Sequence, residues 1–289
     1  MATNYPDFFI IGAAKAGTTA LHEFLDIHPQ VYMSAIKEPN FFSNSEIQAQ
    51  GLYYKTNNVS ERNAYRNLWT NAAPSQLKGE SSVSYIYYQN TATNIHNAVP
   101  NAKIIAILRD PVDRAVSHYN MDRNLGLVKA DMQSIFRDPE KFSLHYQQYF
   151  LLGNYFEQLE RYYNTFTSTQ IHICFYDQLK TQEETLINDL CTFLEIDPHL
   201  ANEKIERTNI TSSPKNKLLK DLYSSQKIRT AVKTVIPEGV RKLIQDKLFE
   251  KNSVSEIDPD FKSTLKNYFS KDIVKLESLL NKDLRTWLN

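Results

Sequence analysis

Cysteine is scarce in this chain, and that scarcity narrows the possibilities first. Two cysteines, Cys174 and Cys191, in 289 residues cannot build a disulfide framework, and they share no metal-ligand spacing. They read as buried thiols of a reducing compartment. Net charge is missing too: 33 basic residues against 33 acidic ones leave a formal charge of zero. A neutral chain has no long-range pull on nucleic acid or an anionic membrane, so an anionic ligand must be caught by a local pocket. No apolar run approaches the roughly 18 residues of a membrane span, and no secretory leader precedes Phe8. Internal repeats and low-complexity linkers are absent as well. These absences predict a cytoplasmic protein without nucleic-acid or membrane partners.

What is present is ordinary globular material, with 42% hydrophobic residues to build a core. The length would hold one large α/β domain or two small ones. The chain grows more helical and more charged past about residue 214, but nothing marks a boundary, so one domain over 1–289 is expected. Short, apolar, β-branched stretches at 8–12, 31–36, 103–108 and 171–176 read as buried strands. Helical periodicity separates them, with helices expected at 18–27, 61–69, 111–124, 145–164, 179–194 and 260–284. That alternation predicts an α/β fold, a central parallel β-sheet flanked by helices on both faces. The polar stretch TNITSSPKNK (208–217) reads as an ordered loop ahead of another helix.

Two stretches carry chemistry. In GAAKAGTTAL (12–21), Gly12 and Gly17 permit a tight turn, and a helix beginning near Gly17 would present unpaired N–H groups at its positive end. The Gly-x4-Gly spacing matches a nucleotide-triphosphate P-loop, except that Thr18 stands in the lysine slot and Lys15 lies inside the loop. The motif predicts a phosphate-like ligand and weakens the reading as a magnesium-dependent kinase. In KIIAILRDPVDRAVSHYN (103–120), a buried strand delivers Arg109 to the carboxyl edge of the sheet, where α/β folds bind ligands. Asp110 is a good N-cap, Pro111 suits the first helical position, and Ser117 offers a second donor nearly two turns on. Taken alone, Arg109 could merely pair with Asp110 or Asp113. Two strand–helix anion sites in one sheet favour a ligand.

Together these segments resemble the signatures of sulfotransferases that use 3′-phosphoadenosine 5′-phosphosulfate (PAPS), in their bacterial and heparan-type branch. That branch carries G-x-x-K-x-G-T-x-x-L followed by Glu-x-x-Phe-Phe; here GAAKAGTTAL is followed by EPNFF (38–42), and Arg109 and Ser117 keep the family spacing of eight. The likeness runs over about residues 7 to 215. It implies a P-loop-like sulfotransferase fold, PAPS as co-substrate, 3′-phosphoadenosine 5′-phosphate (PAP) as product and no metal. It implies that Lys15, Ala16, Gly17, Thr18 and Thr19 hold the 5′-phosphosulfate and that Arg109 and Ser117 take the 3′-phosphate. Glu38 matches the position of the catalytic base, with Lys15 as the cation at the leaving oxygen. Tyr155 could reach the adenine, although as one of 17 tyrosines it also suits the core. Lys215 or Lys217 could supply a phosphate contact in place of the relatives' cysteine-bearing loop. In GESSVSY (79–85) Ser81 and Val83 replace the lysine and proline of the family pattern, so a second active-site lysine is unaccounted for. His22, His28, His96, His118 and His172 have no metal spacing, and His118 lies beside the nucleotide segment. Trp287 reads as an anchor for the terminal helix. Abundant tyrosine and phenylalanine suit a compact acceptor pocket, so the expected acceptor is a small hydroxylated or amine-bearing metabolite, such as a natural product or alkaloid. The competing readings are a P-loop kinase of a small metabolite and a nucleotide-binding protein without chemistry.

Overall fold

Two largely apolar stretches, FFIIG and KIIAIL, lie side by side at the centre of a five-stranded sheet. The computed structural model of the chain describes residues 4–56, 58–200, 212–214, 249–251 and 257–288. The strands are β1 (Phe8–Gly12), β2 (Val31–Met33), β3 (Leu77–Ser81), β4 (Lys103–Leu108) and β5 (Ile171–Phe175). All pair in parallel, in the order β2-β3-β1-β4-β5. Every residue of β1 is buried, which is why this strand reads as a continuous hydrophobic run rather than an alternating one.

Helices cover the sheet. α1 (Thr18–Asp26) follows β1; α2 (Asn44–Gln50) and α3 (Arg62–Arg66) separate β2 from β3; α4 (Thr91–Ala98) leads to β4. α5 (Pro111–Asn124), α6 (Met132–Arg137), α7 (Ser143–Tyr149) and α8 (Tyr155–Tyr163) lie between β4 and β5. α9 (Gln178–Thr181), α10 (Glu183–Leu194) and α11 (Pro259–Leu280) follow, with a short antiparallel pair formed by β6 (Ser212–Pro214) and β7 (Phe249–Lys251). Trp287 is buried, with its ring 6.0 Å from Phe175 and 6.3 Å from Tyr155, and so ties the chain after α11 to the sheet as expected. Cys174 and Cys191 are buried free thiols.

The differences from the sequence-based expectation have physical causes. β2 stops at Met33 because the Ser34 hydroxyl donates to the Ile36 carbonyl at 2.9 Å and closes a turn. β3 has the unpromising sequence LKGES; Gly79 is required there because a Cβ would lie 2.3 Å from the Phe8 ring and 2.4 Å from Met33 sulfur. The single helix expected over 145–164 is two, α7 and α8. Gly153 sits between them, where a Cβ would meet Phe269 at 2.8 Å. The start of α8 is capped from afar: Asp272 on α11 accepts the N–H of Tyr155 at 2.8 Å.

Glu80 on β3 is fully buried, its oxygens accepting the hydroxyls of Tyr65 and Ser82. Burial outweighs these donors and pushes its carboxyl up to about 7, against 4.5 in an open chain. A raised folded-state value means that the native chain holds its proton while the unfolded chain has lost it. Stability from this group is therefore fully present below pH 4.5 and declines as pH rises toward 7. Relative to wild type, Glu80→Gln should gain about 2–3 kcal/mol between pH 5 and pH 8. Urea unfolding of both proteins at the two pH values checks this, and a difference independent of pH would remove Glu80 as the titrating group.

Candidate functional site

Strand order places the site. β1 continues through α1 to β2, yet β3 inserts between them, and β4 pairs on the other side of β1. The connections diverge at β1, and such a divergence opens a crevice at the carboxyl ends of the strands. The segments leaving β1, β2, β3 and β4 carry Lys15, Glu38, Ser82 and Arg109 to that edge.

The loop after β1 turns into α1 at Gly17, which caps the helix with φ 100°. A Cβ there would also lie 2.6 Å from Leu179, so glycine is needed for conformation and for space. The first N–H groups of α1 have no helical acceptor and are available to an anion, with the positive end of the helix dipole behind them. Thr18 is buried and Thr19 half-buried. Lys15 and Glu38 both stand in the left-handed region, at φ 67° and 61°. Non-glycine residues held there cost conformational energy, and such residues cluster at functional sites.

Lys15 leans on the Met121 sulfur at 3.3 Å. Burial lowers the pKa of its ammonium; Asp122 opposes that fall, while Arg109, Lys37 and Arg114 add to it. Asp122 is fastened by the hydroxyls of Tyr53 and Tyr149, the latter at 2.8 Å. Arg109 donates to the Lys15 carbonyl at 3.2 Å, lies 4.5 Å from the centroid of the Tyr176 ring and approaches Asp113 at 3.9 Å. Its buried Nε has no partner among the described residues. Asp110 caps α5 by accepting the N–H groups of Val112 and Asp113 at 2.8 and 3.0 Å, as the sequence predicts. Ser117 is half-buried one turn beyond Asp113, on the helix face to which Arg109 is paired.

Glu38 is positioned by its backbone: its N–H donates to the Ser81 carbonyl at 2.8 Å, and Asn40 Nδ2 donates to its carbonyl at 2.9 Å. The carboxylate pairs with Lys37 at 3.2 Å, and Lys37 also donates to Thr19 Oγ1 at 3.0 Å. The loop after β2 is thereby joined to the first turn of α1.

Not every expected site residue is placed where the expectation put it. Tyr155 is fully buried, and its hydroxyl donates to the Arg109 carbonyl at 3.0 Å. In that position it supports Arg109 from beneath and offers no face to an adenine. His118 is buried beside Arg114, 3.4 Å from Nδ1 to Nη1, and burial first, then Arg114 and Lys15, hold it neutral. Lys215 and Lys217 lie outside the described residues, as does most of 208–217. The sequence motifs do not mark Asp122 or Tyr53 as site residues. The four-residue spacing of Arg114, His118 and Asp122, which puts three polar groups on one face of α5, was the available signal.

A family model described as a sulfotransferase domain matches residues 5–273. The solved sulfotransferase from Alicyclobacillus acidocaldarius matches with a TM-score of 0.74 over 99% of both chains, at 25% identity. Heparan sulfate glucosamine 3-O-sulfotransferase 5 of Mus musculus is 28% identical, covering 68% of this chain and 55% of its own. The membrane-associated sulfotransferase kil1 of Dictyostelium discoideum is 24% identical over 74% of this chain and 61% of its own. The chain thus spans a little over half the length of these two curated relatives. Among the described residues, no helix is long and apolar enough to cross a membrane. With Lys15, Glu38 and Arg109 at one sheet edge, the match over residues 5–273 shows that the chain belongs to the sulfotransferase domain family.

Proposed function

We propose that this chain moves the sulfuryl group of PAPS to a hydroxyl or nitrogen of a small acceptor, in the cytoplasm. The observation that supports the reading is the hydrogen bond from Arg109 to the carbonyl of Lys15 at 3.2 Å, which sets the two proposed anion sites side by side. A nucleotide phosphorylated at both its 3′ and 5′ positions is held by two neighbouring sites of this kind.

In this reading the N–H groups of Gly17, Thr18 and Thr19 hold the 5′-phosphate, with Ala16 completing the loop, and Arg109 and Ser117 take the 3′-phosphate. The acceptor atom forms its bond to sulfur as the bond from sulfur to the bridging oxygen breaks. That oxygen keeps the electron pair, Lys15 neutralises its growing charge, and Glu38 takes the acceptor proton. Lys215 remains a phosphate contact proposed from the sequence alone. A small hydroxylated or amine-bearing metabolite fits a neutral chain better than a polyanion does, because zero net charge gives no long-range attraction. Tyr54 donates its hydroxyl to Gln148 at 3.3 Å, and burial first, then the charge of Glu38, raises its pKa; in this reading it lines the acceptor side.

Calorimetry tests the donor. PAP should bind equally well with and without a chelator, and better than ATP with magnesium, because Thr18 stands where a triphosphate loop has its lysine. Strict metal dependence, with ATP preferred, would restore the kinase reading. An acceptor screen with labelled PAPS then identifies the second substrate.

A further inference from the structure

Lys37 has no part in the reading above, and its surroundings call for one. Its ammonium lies 3.0 Å from Thr19 Oγ1, in the first turn of α1. That is the positive end of a helix, an unfavourable place for a cation. Lys15 is a second cation in the same field, since the charge of Lys37 helps to lower its pKa. His22 on the next turn of α1 is held neutral by burial first and then by Lys37, down to about pH 4; its Nδ1 has no partner among the described residues. The carboxylate beside Lys37 is Glu38 at 3.2 Å. A lysine held between a positive helix end, another lysine and a neutral imidazole becomes favourable when an anion is placed among them.

The neighbouring strand explains why the cation enters here. β3 ends at Ser81, whose hydroxyl is buried and without a partner among the described residues. The loop after β2 lies over this strand end through the bond from Glu38 N–H to the Ser81 carbonyl. Lys37 is thus brought to a strand end that has no cation of its own. An ammonium has three N–H donors, and Thr19 and Glu38 take two of them.

We infer that Lys37 is a second cation for the sulfuryl end of the donor, a role that rests on the PAPS reading above. Thr19 and Glu38 hold it ready, and its remaining N–H reaches the sulfuryl oxygens when the donor is bound. As sulfur passes from the bridging oxygen to the acceptor, Lys37 stays with the sulfuryl oxygens, while Lys15 answers the charge left on PAP. Pairing Lys37 with the bound sulfuryl group also loosens its hold on Glu38, the group that must take the acceptor proton.

The test needs no known acceptor, because water can serve as one: sulfate and PAP form as the bond from sulfur to the bridging oxygen breaks and the water proton is released. The full chain, Lys37→Met and Lys37→Arg are compared for PAP affinity, PAPS affinity and the rate of PAP formation from PAPS. Lys37→Met should hold PAP within a few-fold of wild type, bind PAPS about tenfold more weakly and hydrolyse it about tenfold more slowly. Lys37→Arg should recover much of both losses. Equal weakening toward PAP and PAPS, or unchanged hydrolysis in Lys37→Met, would overturn the assignment. A wild-type chain that binds neither nucleotide would instead sink the donor reading, and the role of Lys37 with it.

Discussion

Glu38→Gln is expected to slow single-turnover sulfuryl transfer by about 10²–10⁴-fold at saturating donor and acceptor, the range of a lost general base. PAP affinity should stay within a few-fold, because a proton acceptor acts in the transition state and not in donor binding. The structure keeps the backbone intact in this substitution, which removes the base together with its ion pair to Lys37. Glu38 is located by its own N–H and carbonyl, through Ser81 and Asn40, and neither bond uses the carboxylate. Glutamine can therefore occupy the same left-handed backbone position and fill the same space without the base. The measurement is rapid quench with labelled PAPS and an acceptor taken from the screen. A rate within a few-fold of wild type would remove Glu38 as the base. His118 would be a poor successor, since burial first, then Arg114 and Lys15, disfavour the protonated imidazole that a base must become.

Arg109→Ala should weaken PAP by about 1.5–3 kcal/mol, the worth of a charge-assisted contact, and weaken adenosine 5′-phosphate far less. The comparison between the two nucleotides matters because Arg109 has two functions in the structure. Its guanidinium also donates to the Lys15 carbonyl, so its removal loosens the loop that holds the 5′ end. Loosening affects both ligands alike, whereas loss of the 3′-phosphate contact affects PAP alone. Calorimetric affinities for the two nucleotides separate these effects. Equal losses would leave Arg109 as a support for the loop and send the 3′-phosphate elsewhere.

Much of this site was legible as sequence because its parts are local. The start of α5 is written in RDP: the Asp110 carboxylate reaches N–H groups two and three residues ahead, and proline tolerates the first helical position. The turn at Gly17 is equally local, since a positive φ at a helix start favours glycine. Where a feature depended on distant partners, the pattern was silent or misleading. The sequence LKGES carries no strand signal, because Gly79 and Glu80 are set by the Phe8 ring on the paired strand β1 and by the Tyr65 hydroxyl on α3. By sequence Tyr155 suits an adenine contact, but it is fully buried and its hydroxyl donates to the Arg109 carbonyl, 46 residues away in the chain. The break between α7 and α8 depends on Phe269 and Asp272, more than a hundred residues further on.

The sequence by itself determined the chemistry available at the site. A strand, a glycine turn and the N-terminus of a helix make an anion site wherever they occur in this order, because short-range backbone geometry creates the unpaired donors. It also determined the α/β class, through apolar runs short enough for strands and separated by helical periods. Only the tertiary structure decided which cations share the ligand. The order β2-β3-β1-β4-β5 sets the ends of β2, β3 and β4 around that of β1. It thereby brings Lys37 to Thr19 across 18 residues and Arg109 to Lys15 across 94. Pairing across the sheet is fixed by the burial of whole strand faces, a property of the assembled core that no short stretch of residues contains.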